Sequence, residues 1–169
     1  STVKAGQNGG QNPSTPRSGE YNAYISHYSA SYDERTRLVT SMLDISKLTE
    51  PVLNFWHAQA NTGEYNDILS IHYKNSPDGG WREITMYDKS IKNWTSELLA
   101  LPEPTNTYWI GFEGDLGSSE GIVLDDIVVF DRQGCNPVEN LAAKEEKDEN
   151  DRLNVRLTWD MPFTLGTQS

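Results

Sequence analysis

The sequence predicts an all-β protein, a β-sandwich of about eight short strands. Runs rich in Val, Ile, Tyr, Trp and Thr return about every ten residues. Clusters of Gly, Pro, Asn, Asp and Ser separate them, as turns require. No segment sustains the apolar spacing of an amphipathic helix.

Residues 1–18 are rich in Gly, Ser, Gln, Asn and Pro, the composition of a flexible lead-in. Residues 21–26 alternate loosely, and residues 37–44 form the next run. Pro51-Val52-Leu53-Asn54-Phe55-Trp56-His57-Ala58 is the most hydrophobic early strand. Residues 67–74 alternate well and enter Asn75-Ser76-Pro77-Asp78-Gly79-Gly80, a hairpin turn in which glycine is expected to supply positive φ. Residues 81–87 return as its partner, and strands at 94–99 and 107–113 follow. Residues 46–49 hold at most one short helical turn. Trp56 and Trp109 stand in apolar strands and are expected in the core.

The run Gly121-Ile122-Val123-Leu124-Asp125-Asp126-Ile127-Val128-Val129-Phe130 poses the sharpest question. It reads as a strand, yet two adjacent carboxylates sit at its centre. Neighbours in a strand point to opposite faces, so both acids cannot reach water if both faces are apolar. A carboxylate buried without a partner takes up a proton or costs several kcal/mol. A bound hard cation, a nearby Arg such as Arg37, or several backbone amides would each compensate it.

After Phe130 the character changes. Gly134-Cys135-Asn136-Pro137 reads as a connector, and a charge-rich run within residues 140–154 as a solvated loop. Leu153-Asn154-Val155-Arg156-Leu157-Thr158-Trp159-Asp160 then alternates as one more strand. The expected organisation is a lead-in at 1–18, a sandwich at 19–134, and a linker with a partial second domain at 135–169.

The net charge of −11 argues against nucleic acid and against an anionic membrane surface. With a single cysteine, Cys135, no disulfide can form within the chain. No apolar stretch approaches the roughly 18 residues of a membrane span, so no membrane insertion is expected. Neither an initiator Met nor a signal peptide is present, and the chain reads as a piece of a longer polypeptide. His27, His57 and His72 lack metal-ligand spacing, and no nucleophile-elbow motif occurs, so catalysis is not expected.

An ordered set of motifs supports a resemblance. Gly19-Glu20-Tyr21 comes first, then Arg37-Leu38-Val39-Thr40-Ser41, Leu43-Asp44-Ile45-Ser46 and the strand from Pro51 to His57. Asp67-Ile68-Leu69-Ser70-Ile71, Asp78-Gly79-Gly80-Trp81 and Tyr108-Trp109-Ile110-Gly111-Phe112-Glu113 lead to the Asp-Asp strand. In this order they resemble the MAM-like jelly-roll modules, among them the bacterial cleaved-adhesin and carbohydrate-binding-like domains of secreted proteases and haemagglutinins. The tail, with Pro137-Val138-Glu139-Asn140-Leu141 and the strand from Val155, resembles the first two strands of a fibronectin type III domain. MAM-like domains usually begin with a strand bearing an acidic pair, and residues 1–20 show none. The sheet edge is therefore expected to stand open, with the tail strand available to cover it.

The resemblance implies a jelly-roll sandwich with a structural Ca²⁺. Its anchors would be Asp126 or Asp125, with Glu20 or the Gly19 carbonyl beside them. Asp67 and Glu64 form a weaker second acidic loop. Among the aromatics, Tyr28 and Tyr32 in a polar loop, and Trp81 and Trp94 with polar flanks, are the candidates for stacking on a ligand. The expected function is non-catalytic binding or adhesion within a larger secreted or cell-surface protein, bacterial by its lack of disulfides. A host or matrix protein, or a glycan, would be the partner. A carbohydrate-binding module and a spacer beside a protease are the alternatives.

Overall fold

Strand pairing in the first part of the chain is nested. A computed structural model describes residues 2–4, 8, 10–26, 34–62, 66–117, 119–134, 139–147 and 153–160, with backbone alone for 2–4, 34, 134, 139–147 and 153–160. It divides into two units, Ser1–Asp131 and Arg132–Ser169. The first holds β1 (Thr2–Lys4), β2 (Tyr21–Ile25), β3 (Glu34–Val39), β4 (Pro51–Gln59), β5 (Ile68–Lys74), β6 (Arg82–Tyr87), β7 (Ile91–Ala100), β8 (Trp109–Leu116) and β9 (Ile122–Asp131).

Strand β2 pairs with β9, β3 with β8, β4 with β7, and β5 with β6, all antiparallel. These strands are thus one long hairpin. It is rolled up so that β4 also meets β9 and β5 also meets β8. Two sheets result, in the orders β1-β2-β9-β4-β7 and β3-β8-β5-β6. Nested pairing split over two sheets is the jelly roll, and the fold is an all-β sandwich.

Alternation decides what fills the space between the sheets. Leu53 and Phe55 of β4, Leu69 and Ile71 of β5, Ile110 and Phe112 of β8, and Ile122 and Leu124 of β9 are all buried in one cluster. Phe55 of one sheet meets Phe112 of the other edge-on, with ring centroids 5.3 Å apart. Each such side chain stabilises the fold by about 1.5–3 kcal/mol on leaving water.

The same alternation overturns the expected burial of two tryptophans. Phe55 and His57 point inward and are fully buried, so Trp56 between them faces outward and is half-buried. Trp109, between the buried Tyr108 and Ile110, faces outward in the same way. Hydrophobic context alone does not tell the two faces of such a strand apart.

Three further expectations are corrected. The turn before β6 closes through the Gly79 N–H donating to the Ser76 carbonyl at 3.2 Å. Positive φ is confined, among the described glycines, to Gly19 and Gly121, so Gly79 supplies space beneath Ser76 instead. A first strand does exist: β1 pairs antiparallel with β2, Thr2 opposite Ala23. The charge-rich run expected as a solvated loop is instead largely a strand. In the second unit β11 (Leu153–Asp160) pairs antiparallel with β10 (Glu139–Lys147) as a separate two-stranded sheet, after a short 3₁₀ turn at Arg132–Gly134.

Candidate functional site

The two outer faces of the sandwich carry the groups singled out in the sequence. On the five-stranded sheet, the β4–β9 ladder slips at its centre. Asn54 lies opposite Val128 and Trp56 opposite Asp125, so Asp126 and Ile127 together face the single residue Phe55. This is a β-bulge, and Asp126 at φ 47° supplies its left-handed residue. The extra residue carries Asp126 out of the inward position that alternation would give it. Both acids thereby reach the outer side, where both are half-buried.

There they hold the lead-in. One Asp125 oxygen accepts the backbone N–H of Arg17 at 2.8 Å and of Ser18 at 3.2 Å. Its other oxygen accepts the Asp126 N–H at 2.8 Å. The Ser18 hydroxyl donates to Asp126 Oδ1. Farther back, the Arg17 guanidinium lies 4.3 Å above the centre of Trp56, and Trp94 Nε1 donates to the Thr15 carbonyl at 2.9 Å. The buried Asn12 accepts the Ala60 N–H at 2.8 Å and donates to the Gly121 carbonyl at 3.0 Å. Residues 12–18 are therefore a strap laid across the sheet. Polar composition suggested disorder, but these polar groups find partners on the sheet.

That arrangement bears on the expected calcium anchor. Ca²⁺ needs six to eight oxygen ligands. The groups facing Asp125 are N–H donors, which suit a carboxylate and repel a cation. Among the described residues, Glu20 takes no part in the pair's hydrogen bonds, and no group of three or more His, Cys, Asp or Glu gathers to hold a metal. In this structure backbone amides compensate the Asp125 charge. Arg37, the other candidate, pairs with Glu113. Asp67 is fully buried and accepts the Gly121 N–H at 2.7 Å, tying β5 to the turn before β9. Glu64 lies outside the described residues.

The outer face of the four-stranded sheet is different in kind. Gly111, in mid-β8, leaves room that a Cβ would fill: it would stand 2.7 Å from Arg37 Cδ and 3.1 Å from the Trp81 ring. Trp81 settles into that room. The Arg37 guanidinium lies 4.6 Å from the centre of the Trp81 ring. Lys74 Nζ lies 4.6 Å from the centre of Trp109 and 5.7 Å from that of Trp81. Arg35 pairs with Asp115 at 2.8 Å at the edge, while Val39 and Met86 are exposed on either flank. Sequence reasoning found Trp81 but missed Trp109. The signal was available in the inward residues at 108 and 110.

Trp94, the other predicted stacking residue, lies on the opposite outer face, with its indole N–H committed to the strap. Tyr28 and Tyr32 lie outside the described residues. The predicted ligand residues are thus not gathered into one site.

A polar inset went unforeseen. His57 is fully buried, with Nε2 3.7 Å from Glu97 and its ring 4.7 Å from that of Tyr87. Burial holds His57 below its ordinary pKa, while Glu97 pulls the other way. Burial, with Glu97 adding, raises the Tyr87 phenol. Gln59 closes the inset by donating to the carbonyls of Tyr87 at 2.8 Å and of Asp67 at 3.2 Å.

No family model matches the chain, and no curated protein matches it. Solved structures are similar, among them the K3 cleaved adhesin domain of Lys-gingipain from Porphyromonas gingivalis W83, at 14% identity and a TM-score of 0.47. The match covers 76% of this chain and 90% of that domain. Among the described residues no helix is long and apolar enough to cross a membrane.

Proposed function

We propose that the chain is a non-catalytic binding module of adhesion type, part of a larger secreted or cell-surface protein, and that it meets a protein partner through the outer face of its four-stranded sheet. The observation that carries this reading is the placement of Trp81 and Trp109 on that face, with Arg37 and Lys74 beside the rings and Val39 and Met86 exposed nearby. Trp, Arg and Met are among the residues enriched at protein interfaces, and Trp buries a large area on only two rotatable bonds. The similarity to an adhesin domain agrees in kind.

A glycan partner is less well supported, because sugar stacking needs an aromatic face clear of other groups. Here Arg37 already stacks on Trp81 and Lys74 lies over Trp109. A spacer role would leave the two outward tryptophans without a use.

The test is binding of the full chain to a panel of immobilised extracellular-matrix proteins and, in parallel, to a glycan array. The expected result is binding to a matrix protein that Trp81→Ala weakens by tenfold or more, about 1.4 kcal/mol. Binding that survives both Trp81→Ala and Trp109→Ala overturns the assignment of the face. Binding to glycans alone overturns the class of partner.

A further inference from the structure

The strap over the five-stranded sheet reads Asn12-Pro13-Ser14-Thr15-Pro16-Arg17-Ser18, a Pro-x-x-Pro sequence followed by a basic residue. Its two prolines are half-buried and its Ser14 and Thr15 exposed. Trp94 donates its indole N–H to the Thr15 carbonyl, Trp56 lies under the Arg17 guanidinium, and Asp125 accepts the next two backbone N–H groups. Proline-rich segments are held elsewhere by the same means. Aromatic side chains form the groove, and main-chain carbonyls of a stiff, low-entropy chain serve as acceptors.

We propose that the face formed by Trp94, Trp56 and Asp125 is a groove for extended Pro-x-x-Pro-Arg peptides, occupied in cis by residues 12–18. Most of its hydrogen bonds go to main-chain atoms, so another segment of the same pattern meets the same groups. The Arg17–Trp56 stack supplies the preference for a basic residue. Gly19 joins the strap to β2 at φ 61°, with no atom within 4 Å of where a Cβ would stand, and gives the strap its pivot. A tethered occupant acts at an effective concentration on the order of millimolar. The intact chain is therefore closed to weak ligands and opens when the strap is displaced. This site is independent of the face proposed for adhesion, and either reading can fail without the other.

The test uses the full chain carrying Pro13→Ala, Pro16→Gly and Arg17→Ala, with a fluorescent peptide of residues 11–20 as probe. Anisotropy is expected to show binding at least about tenfold tighter than to the intact chain, as the cis competitor is weakened. Adding Trp94→Phe, which keeps an aromatic ring but removes the N–H, should loosen it again by about tenfold. A folded strap variant that binds no peptide, binds a scrambled peptide equally, or ignores Trp94→Phe overturns the proposal. Should the triple variant not fold, the intact chain decides. Several millimolar unlabelled peptide, above the tether's effective concentration, should displace the strap and shift the labelled chain's own Arg17 and Ser18 amide resonances, and unmoved amides overturn the proposal.

Discussion

The Asp125 carboxylate accepts the backbone N–H of Arg17 at 2.8 Å, across 108 positions of sequence. With Ser18 on the same oxygen and Asp126 on the other, it is the outer anchor of the strap. Charge-assisted hydrogen bonds of this kind contribute more than neutral ones, though partial exposure reduces them. Asp125→Ala is expected to lower stability by about 1–2 kcal/mol in urea unfolding. Amide exchange at Arg17 and Ser18 should quicken well beyond that at Leu53 in the core. An unchanged exchange rate at both amides would show that the strap does not depend on this carboxylate.

Asp126 occupies the left-handed residue of the bulge, at φ 47°. A β-branched side chain there costs about 1–2 kcal/mol, whereas glycine costs nothing sterically. Asp126→Gly forfeits the Ser18 hydroxyl bond but relieves the backbone, so it should lie close to the wild type in thermal unfolding. Asp126→Val loses both. The Val variant proving as stable as the Gly variant would mean the bulge is not held as described.

Two glycines separate backbone necessity from side-chain room. At Gly121, φ is 79° and a Cβ would stand 2.6 Å from the Ile25 carbonyl and 2.7 Å from the Tyr24 ring. Gly121→Ala should cost more than about 2 kcal/mol. At Gly111 the obstacles are Arg37 and Trp81 side chains, which can move. Gly111→Ala should cost about 1 kcal/mol or less and leave its mark as changed Trp81 fluorescence. Reversal of that order in chemical denaturation would contradict both environments.

The sandwich was legible in the sequence because alternation and turn spacing are local signals. Strands β4 and β5, with Leu53, Phe55, Leu69 and Ile71 at every second position, announce themselves. The Asp125–Asp126 pair was legible as a problem but not as a solution. Its partners lie in residues 12–18, whose Pro, Ser and Asn content resembles disorder, and no local pattern reveals a contact so far along the chain. Trp56 and Trp109 were misread for a related reason. A strand covered on both faces for part of its length looks uniformly apolar, and only the parity set by Phe55, Tyr108 and Ile110 tells outward from inward. The short β1 has too few residues to carry a period.

Acid should destabilise the fold through His57. Its pKa is lowered by burial, so the folded chain binds fewer protons than the unfolded chain as pH falls through about 6.5. Stability is therefore full above that value and declines below it, by at most about 1.4 kcal/mol per pH unit for one such group, until the folded pKa is reached. His57→Phe, beside Phe55 and Tyr87, should flatten this part of the profile when midpoints are measured from pH 7.5 to 5.5. A variant that keeps the full wild-type slope would place the acid sensitivity in other groups.

Calcium provides the last discrimination. With three N–H donors on its oxygens, Asp125 is compensated here without a cation. Thermal unfolding with EDTA, and again after Ca²⁺ is restored, should therefore give the same shift, of whatever size, in the wild type and in Asp125→Ala. Binding to the native state alone raises stability with ligand concentration, so a ligand lost with Asp125 would leave a clear signature. A calcium-dependent rise in Tm that disappears in Asp125→Ala would mean that the carboxylate turns from the Arg17 and Ser18 amides to the metal, and that the strap is released when calcium binds.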